Sequence, residues 1–177
     1  EMNQKLLECV PNFSEGRDTK IIDKIVNEVK TTKGVTLLNV DPGKATNRTV
    51  VTFVGNPNSV IEAAFKLIKK SSELIDMEKH SGEHPRMGAT DVCPLIPVSN
   101  ITMEETIAYA KKLAEKVGNE LSIPVYLYEN SASKKYRRNL SEIRQGEYEG
   151  LKNKLKDKRW QPDFGSQVFE NIKKHGA

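Results

Sequence analysis

The order in which hydrophobic periods alternate constrains this chain more than any other feature of its sequence. An apolar run over residues 5–10 ends at Pro11 and predicts a strand. A turn-rich segment follows, and Asp18 or Thr19 can then cap a helix whose Ile21, Ile22, Ile25, Val26 and Val29 share one face. Residues 35–41 form a second strand-like run, broken by Pro42 and Gly43. Residues 48–54 form a third, rich in the threonine and valine that suit a pleated surface. Ser59 to Glu62 has the spacing of a capping box, opening a helix that reaches about Met77 with Val60, Ile61, Ala64, Phe65 and Ile68 inward. Residues 91–98 predict a fourth strand, in which Pro94 and Pro97 remove two ladder donors and so favour an edge or a bulge.

Strand, helix, strand, strand, helix, strand is the split β-α-β order of ferredoxin-like sheets. The expected fold is therefore an α+β sandwich, with a mixed, mostly antiparallel sheet and its helices on one face. Thr102 to Glu105 is a second capping box, for a third helix burying Ile107, Ala110, Leu113, Ala114, Val117 and Leu121, and residues 123–128 predict a fifth strand. Beyond Asn130 the character changes. Lys134, Lys135, Arg137, Arg138 and Arg144 crowd a polar region, and residues 147–158 read as a charged, weakly amphipathic helix. Residues 131–177 are thus expected to form a basic, helical appendage to one domain covering 1–177, a length that can bury a sizeable core.

Composition excludes several classes of protein. No apolar stretch approaches bilayer-spanning length and the N-terminus has no apolar signal segment, which predicts a cytoplasmic protein with no membrane partner. Met2 is read as the natural start, with Glu1 extraneous to it. Cys9 and Cys93 sit in apolar runs suited to buried free thiols, not to disulfides or zinc. The net charge of +4 is mild and the basic residues are not interleaved with aromatics, so a small anionic ligand is favoured over nucleic acid. Neither a P-loop nor a dinucleotide fingerprint is present.

Chemistry concentrates in residues 80–91, His-Ser-Gly-Glu-His-Pro-Arg-Met-Gly-Ala-Thr-Asp, a loop between a helical pattern and a strand. His84 is the leading general acid/base, because an imidazole titrates near neutrality; the alternative is that it only satisfies backbone groups in a tight turn. His80 and His84 could share a zinc ion if helical, but Gly82 and Pro85 oppose a helix and the glutamate is not adjacent to the first histidine, so no metal is expected. Arg48 and Arg86 can each offer a fork to a substrate carboxylate, or can pair with Asp91 or Asp41. Asp41 can orient an imidazole, stabilise a cationic group or cap its turn. Cys93 could be a nucleophile activated by His84, although its apolar run suits a buried thiol better. The basic cluster from Lys134 to Arg144 is either a solvated face or a receiver for an oligo-anionic tail.

Five motifs in order carry a resemblance. They are Cys9-Val10-Pro11-Asn12-Phe13-Ser14-Glu15-Gly16, Thr46-Asn47-Arg48-Thr49-Val50, Gly82-Glu83-His84-Pro85-Arg86-Met87-Gly88-Ala89, Asp91-Val92-Cys93-Pro94 and Pro162-Asp163-Phe164-Gly165. Over residues 6–177 the chain resembles the N-terminal subdomain of the glutamate formimidoyltransferase family. The resemblance implies a ferredoxin-like subdomain that moves a formimino group from N-formimino-L-glutamate to N5 of tetrahydrofolate in histidine degradation. Its catalytic histidine matches His84. Asp41 then holds the cationic amidine, Arg48, Arg86 and Glu83 serve substrate binding, and tetrahydrofolate is the co-substrate. The family's folate segment corresponds to Gly165, Ser166, Gln167, Val168, Phe169 and on to Gly176. A homodimer is expected, and the family's second, C-terminal subdomain is missing from this chain. Asn39 stands where many relatives have an acidic residue. Readings from other classes are a non-catalytic folate-binding subdomain, a scaffold, or transfer of a formyl group in place of formimino.

Overall fold

The computed structural model describes residues 4–177; the readings of Glu1 and Met2 lie outside it. The elements are β1 (Leu6–Cys9), β2 (Asn12–Phe13), α1 (Thr19–Lys30), β3 (Val35–Gly43), β4 (Arg48–Gly55), α2 (Pro57–Leu74), β5 (Thr90–Val92), β6 (Leu95–Ser99) and α3 (Met103–Leu121). Short helices α4 (Leu140–Arg144), α5 (Leu151–Lys154) and α6 (Phe169–Ile172) follow.

β4 is the centre of the sheet. On one side it pairs with β3; on the other it pairs with β1 and β2, which lie end to end along it. Outside them, β6 pairs with β1 and β5 with β2, and every pairing is antiparallel. Taken as four interrupted ribbons, the spatial order is fourth, first, third, second, the ferredoxin-like arrangement. The sheet is thus wholly antiparallel among the described residues, where a mixed one was expected. The interruptions have one cause: Pro11 and Pro94 sit at adjoining levels, where Val10 N–H donates to the Pro94 carbonyl at 3.2 Å and Val51 N–H to the Pro11 carbonyl at 3.0 Å. A proline nitrogen cannot return either bond, so the first and fourth ribbons both break there and the expected single fourth strand becomes two.

Helices α1 and α2 cover one face. Ile22, Ile25, Val26 and Val29 of α1 and Val60, Ala63, Ala64 and Leu67 of α2 pack with Leu7, Cys9, Phe13, Val51 and Phe53 of the sheet, all buried. Phe13, Phe53 and Leu7 are fully enclosed, each contributing about 1.5–3 kcal/mol of burial. Asp18 caps α1 through the Lys20 and Ile21 amides, and the capping box of Thr102 and Glu105 opens α3 as expected.

Several local expectations are corrected. α2 starts at Pro57 under an Asn56 cap that accepts from the Ser59 amide, so Ser59 is inside the helix, and it stops at Leu74. β3 continues through Pro42 to Gly43, because it is the outermost strand there and the missing proline donor can face solvent. Residues 123–128 add no strand to the sheet; Val125 makes only an isolated bridge to Phe164. The helix expected over 147–158 is reduced to α5. Nor is the C-terminal third an appendage: Tyr148, Leu151, Leu155 and Ile172 belong to the main core. The terminal residues dock beside β5, with Ala89 N–H donating to the His175 carbonyl at 2.7 Å and Ala177 N–H to the Met87 carbonyl at 3.3 Å.

Candidate active site

The sheet register assembles the site. Asn12, Val50 and Asp41 are partners in one row across β2, β4 and β3, and Arg48 with Gly43 forms the next row on the same side. Val51 and Phe53 point at the helices, so by alternation this row projects from the face opposite α1 and α2.

The 80–84 loop is brought over that face by the β3–β4 hairpin. Asn47 ends the hairpin at φ 50, a left-handed conformation that asparagine tolerates. Its Oδ1 accepts from the Gly16 amide at 2.9 Å, its Nδ2 donates to the Ser81 carbonyl at 3.0 Å, and its own carbonyl lies 3.0 Å from Nε2 of His80. Glu83 N–H donates to the Ala45 carbonyl at 3.2 Å. The approach is so close that a Cβ on Gly82 would stand 2.3 Å from the Thr46 carbonyl oxygen. Gly82→Ala is therefore expected to lift the loop: hydrogen exchange of the Glu83 amide should accelerate on the order of tenfold while global unfolding moves little. Unchanged protection at Glu83 would refute this docking.

The result is a cleft of about 230 Å³ bounded by Asn12, Asp41, Thr46, Arg48, Val50 and His84. A larger cavity of about 370 Å³, between β5, β6, α3 and residues 123–131, is mainly apolar and takes in Cys93 but not His84. Ionisable groups converge on the smaller cleft, which makes it the candidate site. Cys93 is instead 3.5 Å from Cys9, sulfur to sulfur, and burial pushes the Cys9 thiol well up, away from nucleophile behaviour.

His84 is half-buried, and its Nδ1 is 2.7 Å from the Pro85 carbonyl. A carbonyl can only accept, so Nδ1 carries a proton, and Nε2 is left with no protein partner among the described residues. Asp41 lies exposed at the rim. Arg48 is buried; its Nε donates to Asn12 Oδ1 at 3.1 Å and its Nη1 to Asp91 Oδ2 at 3.0 Å. Its Nη2 has no protein acceptor among the described residues, so a fork edge remains for a ligand. Burial lowers the Arg48 pKa against the pull of Asp91, and the neighbouring Arg144 charge adds to the lowering.

Arg86 lies outside the cleft. It donates Nε to His80 Nδ1 at 2.9 Å, Nη1 to Glu147 at 3.2 Å and Glu149 at 2.8 Å, and Nη2 to Glu149 at 2.9 Å and the His80 carbonyl at 3.2 Å. All five of its N–H groups are occupied, and its ion-pair partners are not the expected Asp91 or Asp41. Glu83 is exposed and also does not line the cleft. Of the folate-segment residues, Gly165 packs on Ile123 and Pro124 and Ser166 N–H donates to the Ser122 carbonyl at 3.1 Å. Gln167 and Val168 are exposed, Phe169 packs on Tyr148, and Gly176 bridges to Gly88, four residues beyond His84. None of the six lines the cleft.

Sequence reasoning missed Asn12 and Asn47 as site builders, although both lie inside the quoted motifs, and missed His80 as a latch. Since Arg86 donates to His80 Nδ1, that nitrogen is unprotonated and Nε2–H faces the Asn47 carbonyl. Burial pushes the His80 pKa below its ordinary 6.5, the Asn47 carbonyl resists, and the Arg86 charge adds to the lowering. Burial lowers His175 as well. The unfolded chain takes up these protons first, so the stabilisation is complete above about pH 6.5 and is lost as pH falls through the folded-state values. Thermal unfolding should therefore come earlier on acidification below neutrality, and His80→Gln should flatten part of that slope; an equal slope in the variant would exclude the latch.

An imidazole nitrogen without a protein partner among the described residues, a rim carboxylate and an arginine edge stand around one small cleft on a ferredoxin-like sheet, the kinds of group that acid–base chemistry on a small anionic ligand needs. The chain belongs to the formiminotransferase family: residues 6–177 match the profile described as the formiminotransferase domain, N-terminal subdomain. It is 55% identical over 173 residues to the formimidoyltransferase-cyclodeaminase of Dictyostelium discoideum, which covers 98% of this chain and 32% of that protein. It is 49% identical over 163 residues to the glutamate formimidoyltransferase of Streptococcus pyogenes serotype M1, covering 92% of this chain and 54% of the relative. The glutamate formimidoyltransferase of Thermoplasma acidophilum is 44% identical over 165 residues, with 92% and 54% covered. The chain thus spans about a third to about half the length of these relatives.

Proposed function

We propose that this chain forms the histidine-bearing half of a glutamate formimidoyltransferase, which moves the formimino group of N-formimino-L-glutamate to N5 of tetrahydrofolate and releases glutamate, in histidine degradation. The observation that carries the reading is the free Nε2 of His84 at a cleft shared with Asp41 and Arg48.

Tetrahydrofolate enters as the acceptor substrate. As its nitrogen bonds to the amidine carbon, His84 Nε2 takes the proton lost from that nitrogen. When the bond from carbon to the glutamate nitrogen breaks, the same imidazolium returns the proton to the leaving group. Held by Pro85 at Nδ1, the ring keeps one nitrogen for both transfers. Asp41, at the rim, offers its carboxylate to the cationic amidine. Arg48 presents Nη2 to a donor carboxylate, a role that the fully occupied Arg86 does not share. Folate contacts through Gly165 to Phe169 and Gly176 belong to the same reading, as does a cytoplasmic homodimer, which the two free thiols suit in its compartment.

Formimino transfer, assayed with the chain alone and with the second half supplied from a two-subdomain relative, tests this. Turnover under either condition supports it. Tetrahydrofolate binding by calorimetry without turnover under both conditions would leave a non-catalytic folate-binding module, and turnover only with a formyl donor would reassign the group transferred.

A further inference from the structure

Arg144 stood in the basic cluster of the C-terminal third, yet it reaches the sheet. Its Nε and Nη2 donate to Asp91 Oδ2 at 2.9 and 2.7 Å, the same oxygen that Arg48 Nη1 approaches at 3.0 Å. Oδ1 of Asp91 accepts the Met87 amide at 2.6 Å. The Asp91 side chain is wholly buried, and the Arg48 and Arg144 side chains are 6% and 17% exposed. One carboxylate therefore answers two guanidinium groups, and one positive charge is left over. Of the two, only Arg48 lines the cleft.

We propose that Arg144 is a positioning residue for the anion subsite: by sharing and anchoring Asp91, it leaves the Nη2 edge of Arg48 oriented and electrically uncompensated toward the carboxylate of the donor substrate. The inference rests on the functional reading above for the identity of that carboxylate. Paired with Arg48 alone, Asp91 would neutralise the fork that has to hold a ligand. With Arg144 present, the carboxylate serves as a hinge pin whose charge is already claimed from the other side.

Arg144→Gln should raise KM for N-formimino-L-glutamate on the order of tenfold, with kcat little changed, because a charge beside Arg48 is lost and no reacting atom is touched. Arg144→Lys should recover part of the loss. Glutamate binding to the chain, measured by calorimetry at low and moderate salt, should weaken by a similar factor in Arg144→Gln, and more steeply at low salt. A fall in kcat with KM unmoved, an unchanged affinity for glutamate, or a loss that follows the thermal midpoint and is not recovered by lysine would overturn the proposal. Absence of transfer by the wild type, both alone and with the second half supplied, with glutamate binding intact defeats the functional reading and leaves the subsite standing; absence of glutamate binding by the wild type defeats the subsite.

Discussion

His84→Ala will lower kcat for formimino transfer by roughly two to four orders of magnitude, the range a positioned acid/base contributes. The fold should tolerate the change, because the ring makes one hydrogen bond, to its neighbour Pro85, and has no part in the core. His84→Gln is the sharper variant, since it keeps bulk and polarity but cannot take up the proton. Both should unfold at the wild-type temperature within a degree or two. Undiminished turnover in either would remove His84 from the chemistry and leave it as a turn residue.

Asp91→Asn will cost about 3 kcal/mol or more of stability, because it leaves two largely buried guanidinium groups without their counter-charge. The amide keeps the shape of the side chain, so the loss is electrostatic and not a cavity effect. One of its new N–H donors also faces groups that can only donate. The urea midpoint should fall by about 1–2 M with an unchanged slope. Double substitution of Asp91→Asn with Arg144→Gln should lose less than the sum, since the second change removes one of the stranded charges. A loss under about 1 kcal/mol in the single variant would mean that water already screens both arginines.

What could be read from sequence is what local chemistry decides. Ile22, Ile25, Val26 and Val29 announce α1 by spacing alone, and Thr102 with Glu105 announces α3, because cap and stripe lie within a few residues. The start of α2 was misplaced since Asn56-Pro57 and Ser59 both carry start signals, and only the backbone chooses between them. A fifth strand was expected at residues 123–128 from β propensity, which cannot tell whether a ladder partner exists. The core role of Tyr148, Leu151, Leu155 and Ile172 was hidden because they are scattered among charges without a period. At the site, His84, Asp41 and Arg48 were legible as residue types in loops and at strand ends, and the register brings them to one cleft. The environment of Arg86 was not, as its carboxylate partners lie more than 60 residues along the chain.

The sheet face that bears Asn12, Asp41 and Arg48 is the one opposite α1 and α2, and on the proposed function this bears on the fate of the reacting carbon. A dish admits water as readily as it admits an amine, and both attack the same amidine. The ratio of hydrolysed donor to transferred donor becomes a gauge of how well the dish is lidded. On the proposed reading, water competes with the acceptor at this open face, so a wall placed over it would serve selectivity for the acceptor before it served rate.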